Sequence, residues 1–183
     1  MSRENLELVR RLYAAWSGGD IAGATSAFAD DVEWHGHPRL PEPGPYRSRE
    51  EVERWMTQFR EAWGELSADP VELIDSGDSV VALVHMSGRG RGSGVEVRGG
   101  VDVHVMTFEG GEVSYFRIYP GDFLTEHAEL SESEFELLIL RVQDGLELPE
   151  IAERLGISEP EVRSIYDHAL ALLRKVPGSE PVS

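Results

Sequence analysis

The stretch VDVHVMTFEGGEVSYFRIY, residues 101–119, decides how this chain folds. Its first half alternates strictly: Val101, Val103 and Val105 share one side, and Asp102, His104 and Met106 share the other, as the two-residue period of a strand requires. EGG is a hairpin turn, and EVSYFRIY is the returning strand. Upstream, VELIDSG (71–77) and SVVALVHMSGRG (79–90) have the same period, with SGD and RGSG as turns, which makes an antiparallel meander. Alternation alone would turn the valines to a core and Asp102 and His104 to solvent. The face used by His85 is not set by the pattern.

Before the meander the period is helical. Leu6, Val9, Leu12, Tyr13 and Trp16 form one stripe, ended by Gly18 and Gly19. Asp20 caps a shorter helix, IAGATSAFA, with Ile21, Ala24 and Phe28 inward. DDVEWHGHP reads as a strand halted by Pro38, and LPEPGPY as a loop, because its prolines can continue neither ladder nor helix. Ser48 and Glu51 have capping-box spacing ahead of a helix with the stripe Val52, Trp55, Met56, Phe59 and Trp63. Helices followed by a meander define an α+β layer fold.

After Tyr119 the strand pattern stops. The sequence divides into a first domain at 1–122, a linker at 123–129, an all-helical domain at 130–176 and a disordered tail at 177–183. In the helical part, Ser131 and Glu134 cap a helix with Phe135, Leu138, Ile139 and Val142 inward. PEIAERL follows, then Gly156 as the turn. Ser158 and Glu161 then open a final helix whose apolar positions run from Val162 to Leu173. This is helix-turn-helix spacing, in which the start of the last helix enters the major groove. Arg163, Ser164 and His168 are the candidate DNA contacts there. Against that use stand Glu159, Glu161 and Asp167, and 12 acids facing 5 bases from Glu129 onward. Nucleic-acid binders ordinarily show a basic footprint.

The whole chain has 34 acidic and 17 basic side chains, a single lysine and net charge −17, a balance that disfavours indiscriminate attraction to nucleic acid or anionic lipid. With no cysteine, disulfides and thiolate metal sites are excluded. No apolar run approaches a membrane span and the N-terminus has no secretory pattern, so a cytoplasmic protein without membrane contact is expected. His35 and His37, two apart, would reach a metal only with His104 or Asp102. That spacing is weak, and neither a metal nor a cofactor is expected.

NLELVRRLYAAWSGGDIAGATSAFADDVEWHGHP, GPYRSREEVERW and VHVMTFEGGEVSYFRIY together resemble the SnoaL-like and ketosteroid-isomerase-like branch of the nuclear-transport-factor-2-like superfamily. EIAERLGIS followed by EVRSI resembles sigma factor region 4 and LuxR-type helix-turn-helix motifs. The first resemblance implies a cone-shaped, curved antiparallel sheet wrapped on helices, opening to a small apolar molecule. It reverses the simple reading of the strand: Asp102, His104 and Met106 face the pocket, and the valines lie outside, where a second copy would cover them in a homodimer. It aligns Tyr13 with an oxyanion-binding tyrosine, His104 with a protonated acid that donates to the same oxyanion, and His37 with the neighbourhood of a catalytic aspartate. Tyr13, His37, Asp102 and His104 are then the candidate catalytic set, with Trp16, Trp34, Trp55, Phe59 and Met106 as ligand-binding walls. Fusion of a pocket to a helix-turn-helix points to a ligand-responsive regulator acting on DNA or through RNA polymerase. The alternatives are a cofactor-independent isomerase or polyketide-cyclase-like enzyme with an accessory helical domain, and a non-catalytic interaction protein.

Overall fold

The computed structural model describes residues 2–40, 42–92, 96–121 and 129–175. Most of the expected linker and all of the expected tail lie outside the described residues. Helices α1 (Ser2–Gly18) and α2 (Ile21–Thr25) lead into strand β1 (Phe28–His35), followed by α3 (Arg49–Glu61). The meander is β2 (Trp63–Asp75), β3 (Ser79–Gly90), β4 (Glu96–Glu109) and β5 (Glu112–Pro120), and α4 (Glu132–Val142), α5 (Leu148–Leu155) and α6 (Glu159–Leu173) close the chain.

The five strands form one sheet in the order β1-β5-β4-β3-β2. The meander is antiparallel as expected, but β1 joins its β5 edge in parallel, placing Trp34 beside Phe116. The sheet is therefore mixed. Two expected helical residues are strand residues instead. The second helix ends at Thr25, so Phe28 begins β1, and α3 ends at Glu61, so Trp63 begins β2. At α3 only half of the capping box forms. Ser48 Oγ accepts the Glu51 N–H, while the Glu51 carboxylate takes the N–H of Arg47.

Each strand of the centre is buried on both sides. In β3, Val80, Ala82 and Val84 pack with α1 and α3, whereas Val81 and Leu83 belong to a second core with Val101, Val103 and Val105 of β4. That second core is completed by the chain's own terminal helices, through Leu137, Leu138, Ile151, Val162, Ala169 and Leu173. The valine side does lie outside the pocket, but α4–α6 cover it, so the reason for expecting a homodimer across this face is gone. A second copy would find no apolar surface there: Val103 and Val105 are fully buried. His85 shares this outer side with Leu83 and lies opposite Val101.

The terminal helices are cut to length by their ends. The Glu134 carboxylate accepts from both the N–H and the hydroxyl of Ser131, and Glu161 does the same for Ser158. Gly156 ends α5 at φ 69°, a left-handed turn open to glycine without strain. A polar bond ties α6 to the sheet: buried Tyr166 donates from its hydroxyl to Glu72 Oε1 of β2 at 2.6 Å. Burial and the Glu72 carboxylate hold this phenol far above its ordinary range, so it remains a donor. Tyr166→Phe is expected to cost about 1.5–3 kcal/mol, the worth of a hydrogen bond to a charged group. Urea denaturation measures it, and an unchanged midpoint would mean that the bond contributes nothing.

Candidate functional site

On the concave side, α1, α3 and the sheet enclose a cavity of about 220 Å³. Its position follows from the strand alternation: Asp102 and His104 of β4 point inward because Val101, Val103 and Val105 point outward. From α1 come Leu12, Tyr13 and Trp16, and from α3 come Trp55, Met56 and Phe59, one helical turn apart. Trp34 of β1 packs against Trp55 (centroids 4.5 Å apart) and stacks on Phe116 of β5 (5.6 Å). His37 and Leu40 enter from the segment after β1, and Trp63, Met86 and Ser87 from β2 and β3. Gly88 lies against Trp63 so closely that a Cβ would sit 2.9 Å from the indole.

The walls are aromatic and aliphatic, and the polar groups gather on one side. Tyr13 Oη lies 2.7 Å from His104 Nδ1. His104 is only 3% exposed, and burial, then the neighbouring His37, push its pKa down to about 3. Burial, with a smaller push from Asp102, raises Tyr13 well above an ordinary phenol. Both are therefore neutral at pH 7. His37 Nδ1 accepts the backbone N–H of Arg39 at 3.1 Å, which leaves Nε2 as the protonated nitrogen, 3.7 Å from Asp102 Oδ1. In this arrangement Asp102 supplies the carboxylate oxygen of the cavity wall, with the His37 ring beside it but beyond hydrogen-bond distance. Two buried nitrogens on the cavity wall, His104 Nε2 and Trp34 Nε1, have no hydrogen-bond partner among the described residues.

The four candidate catalytic residues thus meet in one cavity, together with Trp16, Trp34, Trp55 and Phe59. Met106 does not join them. It points to the same side of β4 but is wholly buried in the inner core, outside the lining. Phe116 and Ile118 line the cavity and were missed by sequence reasoning, although their two-residue spacing on β5 matches that of Asp102 and His104 on β4. His35 turns away to Glu33 at 2.7 Å. Among the described residues, no group of three His, Asp or Glu is placed to hold a metal ion.

The outward side of α6 is open to solvent, including Arg163, Ser164 and His168. Two of these three are tied to carboxylates: Arg163 to Glu159 at 3.2 Å, and His168 to Glu134. Among the described residues no helix is long and apolar enough to cross a membrane.

The family model of the SnoaL-like domain matches residues 9–116, and that of sigma-70 region 4 matches residues 128–175. Solved structures similar to the chain include an NTF2-like protein of unknown function from Burkholderia pseudomallei, 26% identical, covering 67% of this chain and 95% of its own with TM-score 0.58. Another is an NTF2-like protein from Burkholderia thailandensis, 26% identical, covering 69% and 98% with TM-score 0.59. TerC, co-crystallized with polyporic acid, is 22% identical over 67% and 95% with TM-score 0.57, a likeness of fold. No curated protein matches.

Proposed function

As the chain belongs to the SnoaL-like domain family and ends in a sigma-70 region 4 helix-turn-helix, we propose that it is a ligand-responsive transcriptional regulator. A pocket domain at 1–122 would take a small, largely apolar molecule, and a helical domain at 130–176 would act on DNA or through RNA polymerase. One observation carries this reading. Strand β4 is the wall of the cavity on one side, through Asp102 and His104, and the seat of the terminal helices on the other, through Val101, Val103 and Val105. Close-packed interiors transmit small displacements, so a ligand that shifts β4 also shifts what rests on it.

Charge limits how the terminal helices can act. Phosphate neutralisation supplies most non-specific affinity, and Arg163 is held by Glu159 on a face that also exposes Glu161 and Asp167. Binding must then come from a specific site or from a partner that brings positive charge. The full-length protein, incubated with fragmented DNA of its source organism, should enrich a few sites and show little affinity for the remainder. Arg163→Ala should lower that enrichment at least tenfold, and a small-molecule extract of the same cells should alter it. Uniform tight binding, or enrichment unchanged in Arg163→Ala, overturns the reading. The Asp102–His37 pair favours a second reading, an acid–base isomerase or cyclase, for which turnover of a ring ketone would be the signature.

A further inference from the structure

The hydrogen-bond partners around His104 favour one tautomer of its ring. A neutral imidazole has one N–H and one lone pair. Among the described residues the Tyr13 hydroxyl has a single partner, His104 Nδ1. If Nδ1 carried the proton, the phenolic proton and the Nε2 lone pair would both go unmet in a buried place. If Tyr13 donates into Nδ1, the Nε2 proton and the lone pairs of the phenol oxygen are unmet instead. Either arrangement makes one bond and leaves one donor and one acceptor wanting, but the second pairs the stronger donor with the stronger acceptor, the phenol O–H with the imidazole lone pair, and spares only a phenol oxygen whose lone pair is drawn into its ring. The ring is also held in place: it lies edge-on to Phe116, with centroids 5.4 Å apart.

We propose that Tyr13 is a positioning residue that acts through His104, fixing the tautomer whose Nε2–H is a hydrogen-bond donor of the cavity toward a neutral acceptor oxygen, a carbonyl, on an apolar ring ligand. This rests on the ligand-binding reading above, and it gives Tyr13 a different part from the direct oxyanion contact that the resemblance implied. The ligand's neutrality follows from the lining. The cavity wall has the Asp102 carboxylate but no arginine or lysine among the described residues, so an anionic ligand would be desolvated without a partner. The ring character follows from Trp34, Trp55, Phe59 and Phe116, which present flat faces.

The test uses the full-length protein and two probes of one skeleton, 1-tetralone and tetralin, which differ by the carbonyl. Nitrogen-15 spectra of histidine-labelled protein read the tautomer, and tryptophan fluorescence reads binding. His104 should show a protonated Nε2 and a bare Nδ1. Tetralone should bind roughly tenfold more tightly than tetralin, the most that one neutral hydrogen bond ordinarily supplies. In Tyr13→Phe the spectrum should turn to mixed tautomers and the preference for tetralone over tetralin should fall severalfold. Three results overturn the proposal: a protonated Nδ1 in the wild type, equal affinities for the two probes, which would mean that Nε2 serves a buried water only, or a preference that survives Tyr13→Phe. If neither probe binds, the ligand reading falls, and the nitrogen spectra still decide the part played by Tyr13.

Discussion

Val103→Asp is expected to leave the protein without a stable fold. Val103 is fully buried on the outer side of β4, surrounded by Val81, Leu83 and the apolar side chains of α4–α6. A carboxylate there has neither water nor a cation to meet it, and the penalty is at least about 4 kcal/mol. That approaches the lower end of the ~5–15 kcal/mol by which a domain is stable. The milder Val103→Ala, expected to cost about 2 kcal/mol, tests the more informative point. All four tryptophans of the chain border the cavity, whereas α4–α6 lie across the sheet from it. If the two sides share one core, tryptophan fluorescence and helical circular dichroism must lose their signals at the same urea concentration, and Val103→Ala must move both midpoints together. Helices that melt first, with fluorescence unmoved, would show that the terminal helices are only loosely seated.

The second large effect is a loss of stability in mild acid that belongs to His104. Its folded pKa is about 3 against an ordinary 6.5, so below pH 6.5 the unfolded chain takes up a proton that the folded one refuses. Stability is therefore complete above pH 6.5 and drains away as the pH falls toward 3. Between pH 7 and pH 4.5 this amounts to about 2–3 kcal/mol. Glu33, Glu134 and Glu161, whose pKa values are lowered below 4.5 by hydrogen bonds to His35, His168 and Ser158, contribute only at still lower pH. Denaturation at pH 7 and at pH 4.5 should show wild type losing that much more than His104→Gln. Equal losses would mean that His104 is protonated in the folded protein.

Much of this was legible in the sequence because single positions decided it. The hairpin at EGG, the capping pairs of α4 and α6 and Gly156 are local signals, and each is where the spacing placed it. The strand alternation gave both faces of β4 but not what covers each. An apolar face calls for an apolar partner, and periodicity cannot say whether the partner is a second copy or a later segment of the same chain. A hint was present in FELLILRV: Leu137, Leu138, Leu140 and Val142 are all buried, too many for one narrow stripe and enough for a helix gripped from two sides. The parallel seat of β1 and the strand start at Trp63 were hidden for another reason. Both depend on pairing with residues far along the chain, beside Phe116 and opposite Gly90. Met106 failed as a wall residue because a strand face runs deeper than the cavity it borders.

The core shared across β4 also bears on how such a chain can be inherited. Two sequence families meet in it, and a recombination event that exchanged one for a cousin would not simply swap a tool on a handle. The incoming sheet would need bare hydrocarbon at every second position on its back, and the incoming helices would need a leucine-rich underside shaped to it. Lineages that keep the two together must therefore change them in step, the back of the sheet drifting with the belly of the helical half, even at positions that never touch a ligand or a nucleotide.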